Sequence, residues 1–122
     1  MTTPSVRPQD IQTANPYGFM GSGFRNTECE TVARNILLLL QKTNPALWTS
    51  FSWSDYKKFC THRVSDTEHG VLDAMVSGGR PVWNTSANLV SGYLKKSNNR
   101  YEVTQQFIDA LPAKVKVADQ AN

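Results

Sequence analysis

Apolar residues in the chain return at two spacings, and the spacing changes along its length. From Cys29 through Val32, Ala33, Ile36, Leu37, Leu39 and Leu40 they recur every three to four residues, the period of a helix with one wide buried face. Thr27 and Glu30 stand before this run as a capping box, in which hydroxyl and carboxylate each satisfy a free backbone N–H. Thr43-Asn44-Pro45 ends it, because a residue preceding proline is pushed out of helical geometry. This helix is predicted to be central to the core.

Two shorter helical patterns follow. "SWSDYKKFC" puts Trp53, Tyr56, Phe59 and Cys60 on one face, with Ser52 as cap and Asp55 at the positive end of the helix dipole. "SDTE" repeats the capping-box pattern through Ser65 and Glu68. Val71, Leu72, Met75 and Val76 then form an apolar face, and Gly78-Gly79 stops the helix. Trp83, Ala87 and Val90, with Leu89 beside them, are spaced for a fourth helix capped by Asn84 or Thr85.

At "GYLKKSNNRYEVTQQFIDAL" the period shortens to two. Asn98-Asn99 suits the two-residue type I′ turn of a β-hairpin, since asparagine tolerates positive φ better than most residues. That register sets Leu94 opposite Val103, Lys95 opposite Glu102 and Lys96 opposite Tyr101. Leu94, Tyr101 and Val103 then take the core side. Lys95 and Glu102 form a cross-strand ion pair on the other, which leaves Lys96, Arg100 and the Asn98-Asn99 tip as the hairpin's offer to a partner. Thr104 caps a last helix that buries Phe107, Ile108 and Leu111 and closes at Pro112.

The ends of the chain are different. Residues 1–26 are punctuated by Pro4, Pro8, Pro16, Gly18, Gly21 and Gly23 and show no period, which predicts an irregular arm pinned by Tyr17, Phe19 and Phe24. "GFMGSG" within it has neither the spacing of a phosphate-binding loop nor a strand before it, and reads as a linker. Residues 112–122 read as a loose tail. Between the ends, residues 27–111 form one domain, mainly α with a small β-hairpin.

The order of elements, and above all the run from Trp83 to Leu111, resembles a winged helix-turn-helix domain: a short helix, Gly92-Tyr93-Leu94, a basic hairpin tip, then Tyr101-Glu102-Val103-Thr104 opening a closing helix. The resemblance implies a wing packed on a helical platform, and double-stranded DNA as the partner to test first. Charge then chooses the DNA-facing helix. The helix from Asp66 to Ser77 carries Asp66, Glu68 and Asp73 and no Lys or Arg, which suits it badly to a groove lined by phosphates. The segment from Trp83 to Ser91 has no acid and offers Asn84, Thr85, Ser86 and Asn88, asparagine being able to pair bidentately with adenine. Arg80, Lys95, Lys96 and Arg100 flank it as phosphate contacts, with Asn98 and Asn99 at the wing tip. From Arg80 to Thr104 only Glu102 opposes these four cations, so the segment accounts for the whole formal net charge of +3. Lys57, Lys58 and Arg63 read as the wet side of a helix. The arm could reach DNA through Arg7 and Arg25, or fold onto a partner.

Composition narrows the remaining choices. At 122 residues with 39% hydrophobic and 19% charged, the chain is sized for one domain with a real core. Cys60 and His62 have no third orienting group, and with His69 they match no common zinc spacing. No paired carboxylates or nucleophile elbow stand out. The expectation is a non-enzymatic protein without metal or cofactor. Cys29 and Cys60 are expected as buried free thiols. With no secretory signal and no run longer than "ILLLL", no membrane role and a cytoplasmic location are expected. The competing function is a winged-helix module that binds a protein partner, or a second copy of itself, without DNA.

Overall fold

The computed structural model describes residues 6–13, 23–24, 27–60, 64, 66–79, 91–112 and 115. Among them a 3-10 turn, Pro8–Asp10, precedes α1 (Thr27–Thr43), β1 (Phe51–Ser52), α2 (Trp53–Phe59), α3 (Asp66–Ser77), β2 (Leu94–Ser97), β3 (Arg100–Val103) and α4 (Gln105–Asp109). The strands form one antiparallel sheet in the order β1-β3-β2. The fold is therefore mixed α and β, with more sheet than a lone hairpin. Two residues are too few to show a period of two, so β1 leaves no pattern in the sequence. It forms because β3 has a free edge and Phe51 has Tyr101 to pack on, their rings 5.5 Å apart.

The helix α1 is the core's axis. Cys29, Val32, Ala33, Ile36, Leu37, Leu39 and Leu40 are all buried, the face that the helical spacing marks. Val71, Leu72, Ala74 and Met75 of α3 join them, with Tyr56 of α2, Leu94, Tyr101 and Val103 of the hairpin, Phe107 and Ile108 of α4, and Leu111 just after it. The capping box of α2 is formed: Asp55 N–H donates to Ser52 Oγ and Ser52 N–H to Asp55 Oδ2, both at 3.0 Å. The expected caps of α1 and α3 rest on the Thr27 side chain and on Ser65, and lie outside the described residues. So does the expected fourth helix, apart from Ser91.

The hairpin has the register read from the sequence: Leu94 opposite Val103, Lys95 opposite Glu102, Lys96 opposite Tyr101. Asn98 and Asn99 hold φ of 52° and 64°, the geometry of a type I′ turn. Gly92, at φ 102°, delivers the chain to β2. That φ is one L side chains rarely adopt, so glycine suits it, and a Cβ would also crowd Gln106, which donates to Ser91 O at 2.9 Å. Thr104 joins the hairpin to α4. Its hydroxyl donates to Gly92 O at 2.6 Å and accepts Phe107 N–H at 3.4 Å.

Parts of the expected arm and tail are built into the body. Gln41 Nε2 donates to Pro8 O and Ile11 O, and Gln41 Oε1 accepts from Thr13 Oγ1. Trp48 Nε1 donates to Val6 O at 2.6 Å. Ile11 and Phe24 are buried, Phe24 against Tyr93 and Phe107; Tyr17 and Phe19 lie outside the described residues. Val115, in the stretch expected to be loose, is also buried and accepts Gln12 N–H at 2.8 Å. Gln41 on α1 holds the segment from Pro8 to Thr13, while Trp48, the aromatic core and the Gln12 backbone hold the rest, and no periodic pattern announces such partners.

The turn makes a direct test of the register. Asn99→Ala is expected to cost about 1 kcal/mol in urea denaturation, because a Cβ without a polar side chain is disfavoured at positive φ, whereas Asn99→Gly holds or raises stability.

Candidate functional site

Of the residues expected to meet DNA, Arg80, Asn84, Thr85, Ser86 and Asn88 lie outside the described residues. Lys95, Lys96, Asn98, Asn99 and Arg100 come together on the hairpin, all exposed at the level of the whole residue. Their charges do not point the same way.

Strand alternation places Lys96 on the face shared by Leu94 and Tyr101, which turns toward α3. Its ammonium lies 5.2 Å from the centre of the Tyr101 ring and 3.7 Å from Asp73 Oδ1. Tyr101 donates its phenolic proton to the same oxygen at 2.9 Å. His69, one turn earlier on α3, brings Nε2 to 4.0 Å from Asp73 Oδ2 and stacks on Trp53 at 4.4 Å. Burial, and then the bond to Asp73, push the Tyr101 phenol well above the ordinary tyrosine range, so it stays a donor across physiological pH.

Arg100 is held on the other side. The β1 pairing sets Ser52 opposite it, and its guanidinium donates to Ser50 Oγ at 2.7 Å, Ser50 O at 2.9 Å and Asp55 Oδ2 at 3.3 Å. The Asp55 carboxyl is held below its ordinary range, chiefly by the Ser52 N–H and further by Arg100. In the arm, Arg7 is likewise paired, with Asp10 at 3.3 Å.

The expected division of labour is thus reversed. Lys95 was to be spent on Glu102, yet among the described residues the two make no ion pair within 4.0 Å although they face each other in register. Lys96 and Arg100, expected to be free, are the engaged ones. Asp73 and Asp55 are 23 or more residues away in sequence from the cations they hold, and nothing local signals such pairs.

Cys29 and Cys60 are free thiols, but only Cys29 is buried; Cys60, at the end of α2, is half-buried rather than buried as expected. Burial, then Glu28 and Glu30, push Cys29 up to about 12, and burial raises Cys60 too, which makes both poor nucleophiles. His62 and Arg63 lie outside the described residues. Among the described residues there is no group of three or more metal-ligating side chains, and no helix long and apolar enough to cross a membrane.

Two open clefts adjoin along α1 and α2. The first, of about 690 Å³, includes Arg34, Leu38, Lys42 and Phe59 among its walls. The second, of about 390 Å³, shares Lys42 and Phe59 and adds Lys58, Asp55, Arg100 and Thr49. Sequence reasoning passed over Arg34, Leu38 and Lys42, although their spacing of four sets them on one helical stripe beside the buried face. Thr49 Oγ1 is buried and without a hydrogen-bond partner among the described residues.

Comparisons of the chain with protein-family models, curated proteins and solved structures gave no match.

Two measurements check this geometry. A carboxylate whose folded pKa is depressed contributes stability above its unfolded pKa of about 4, lost as pH falls through the folded value. Asp55→Asn is therefore expected to destabilise at neutral pH, with the difference from wild type shrinking below about pH 4. Thr49→Val removes an unpaired buried hydroxyl at nearly constant shape, and is expected to be neutral or stabilising by up to about 1 kcal/mol in the same denaturation assay.

Proposed function

We propose that the chain is a small non-enzymatic interaction module of winged-helix-like build whose partner is a protein. Its build follows from a helical platform, a hairpin with a type I′ tip, and Thr104 opening a closing helix, the arrangement in which the sequence resembles the winged-helix family. The observation that carries the choice of partner is the neutralisation of the wing. DNA binding draws most of its affinity from cations that replace counterions at phosphates. Here Lys96 already faces Asp73, and Arg100 already faces Asp55. A phosphate would have to compete with a carboxylate for each. The first turn of α3 adds two further carboxylates, Asp66 and Glu68, which disfavour phosphates.

One observation favours DNA as a second reading. Lys95 is exposed, has no ion-pair partner among the described residues, and stands beside the exposed Asn98-Asn99 tip. Under that reading Lys95, the tip and the segment bearing Arg80, Asn84, Thr85, Ser86 and Asn88 form the interface, and the protein is a transcriptional regulator.

Fluorescence anisotropy with a labelled mixed-sequence DNA duplex at about 50 mM and about 200 mM salt separates the two. The protein-module reading expects no saturable, salt-sensitive binding by wild type. Binding that falls steeply with salt and is weakened by Lys95→Glu, a substitution at an exposed side chain with no ion-pair partner among the described residues, would sink it in favour of DNA.

A further inference from the structure

The trough along α1 and α2 carries charge that neither reading uses. Arg34, Leu38 and Lys42 follow one another at single-turn steps, so the two cations bracket the leucine over about 12 Å of helix. Phe59, at the end of α2, is half-buried in the wall common to both clefts. Beyond it the second cleft is walled by Lys58 and Arg100, over a floor made of Leu39, Leu40 and Phe51. Among the described lining residues the four cations meet a single carboxylate, Asp55, which Arg100 already holds at 3.3 Å.

The neutral polar groups of the first cleft are committed elsewhere. Gln41 is saturated by Pro8, Ile11 and Thr13, and Asn35 donates to the Tyr56 hydroxyl at 3.1 Å. Arg34 gives Nε to Thr13 O at 2.9 Å, which orients its guanidinium, and its terminal nitrogens have no hydrogen-bond partner among the described residues. Lys42 and Lys58 are exposed. What the trough still offers is positive charge at its rim and aliphatic or aromatic surface between. Leu47, the large hydrophobic side chain most exposed to solvent among the described residues at 64%, sits on the loop whose Thr49 and Ser50 wall the second cleft.

We infer that this trough is the docking site for an acidic segment of a partner protein, one that sets Asp or Glu against Arg34, Lys42 and Lys58 and lays an aliphatic or aromatic side chain over Leu38 and Phe59. The inference rests on the protein-module reading and names the chemistry of its partner. Charge complementarity selects the sign of the segment, and the apolar stretch between the cations selects a polypeptide. A nucleic-acid strand has no aliphatic chain to lay on Leu38. Its apolar surface lies in base faces, which need open aromatic platforms to stack on, and Phe59 is sunk in the wall.

The test uses the full chain, isotope-labelled for backbone amide NMR, and a synthetic peptide of Glu and Leu at helical spacing, with a control peptide carrying Lys for every Glu. The acidic peptide is expected to bind saturably and to shift amides within residues 34–42 and 58–60. Lys42→Glu with Lys58→Glu should weaken it by about tenfold, the scale for two partly exposed charge pairs. Lys42→Gln with Lys58→Gln should weaken it less, and Lys95→Glu not at all. Absence of saturable binding, equal binding of the Lys peptide, or insensitivity to the Lys42 and Lys58 variants overturns the inference. So does a labelled DNA duplex that shifts these same amides. Failure of the peptide with no DNA binding removes the trough and leaves the protein-module reading intact; DNA binding that depends on Lys95 removes that reading itself.

Discussion

Tyr101 is where the sheet and the helices are joined. It sits in the central strand, 1% exposed, with Phe51 of β1 stacked on its ring and Lys96 of β2 over it. Its hydroxyl reaches past the sheet to Asp73 on α3. A two-stranded hairpin is marginal in water, and three strands of which one has two residues are scarcely better. What steadies this sheet is that its middle strand buries an aromatic ring against the α1 and α3 core and ends that ring in a hydrogen bond. Burial keeps the phenol protonated across physiological pH, so it remains the donor in that bond.

The same junction sets the electrostatics of the surface. Because Tyr101 draws α3 up to the hairpin, Asp73 meets Lys96, and because β1 pairs with β3, the N-terminus of α2 brings Asp55 to Arg100. Each pair is exposed enough to add little to stability. Their consequence for the surface is larger, since they engage two cations of the hairpin and leave Lys95 without an ion-pair partner among the described residues. A formal net charge of +3 is therefore a poor guide to where a polyanion or an acidic peptide would settle.

Much of this was legible in the chain. The turn chemistry of Asn98-Asn99 and the alternation around it fixed the hairpin register residue by residue, and the Ser52 and Thr104 caps marked where α2 and α4 begin. These are local rules, satisfied within a few residues, and side-chain type is enough to decide them. The apolar face of α1 belongs with them, because 3.6-residue periodicity states directly which side must be buried.

The rest depended on which elements meet. β1 exists only because β3 offers an open edge. The segments around Ile11 and Val115 are ordered by partners such as Gln41 and Gln12 that lie far off in the chain or belong to another irregular stretch. The charge balance of the hairpin turned on Asp73 and Asp55, which composition counts but cannot place. Sequence by itself determined the helical and hairpin units and their inward faces, since those follow from backbone geometry and the cost of exposing apolar surface. Only the tertiary structure decided which charges remain free, because an ion pair depends on a few ångströms between side chains that the chain's linear order does not specify.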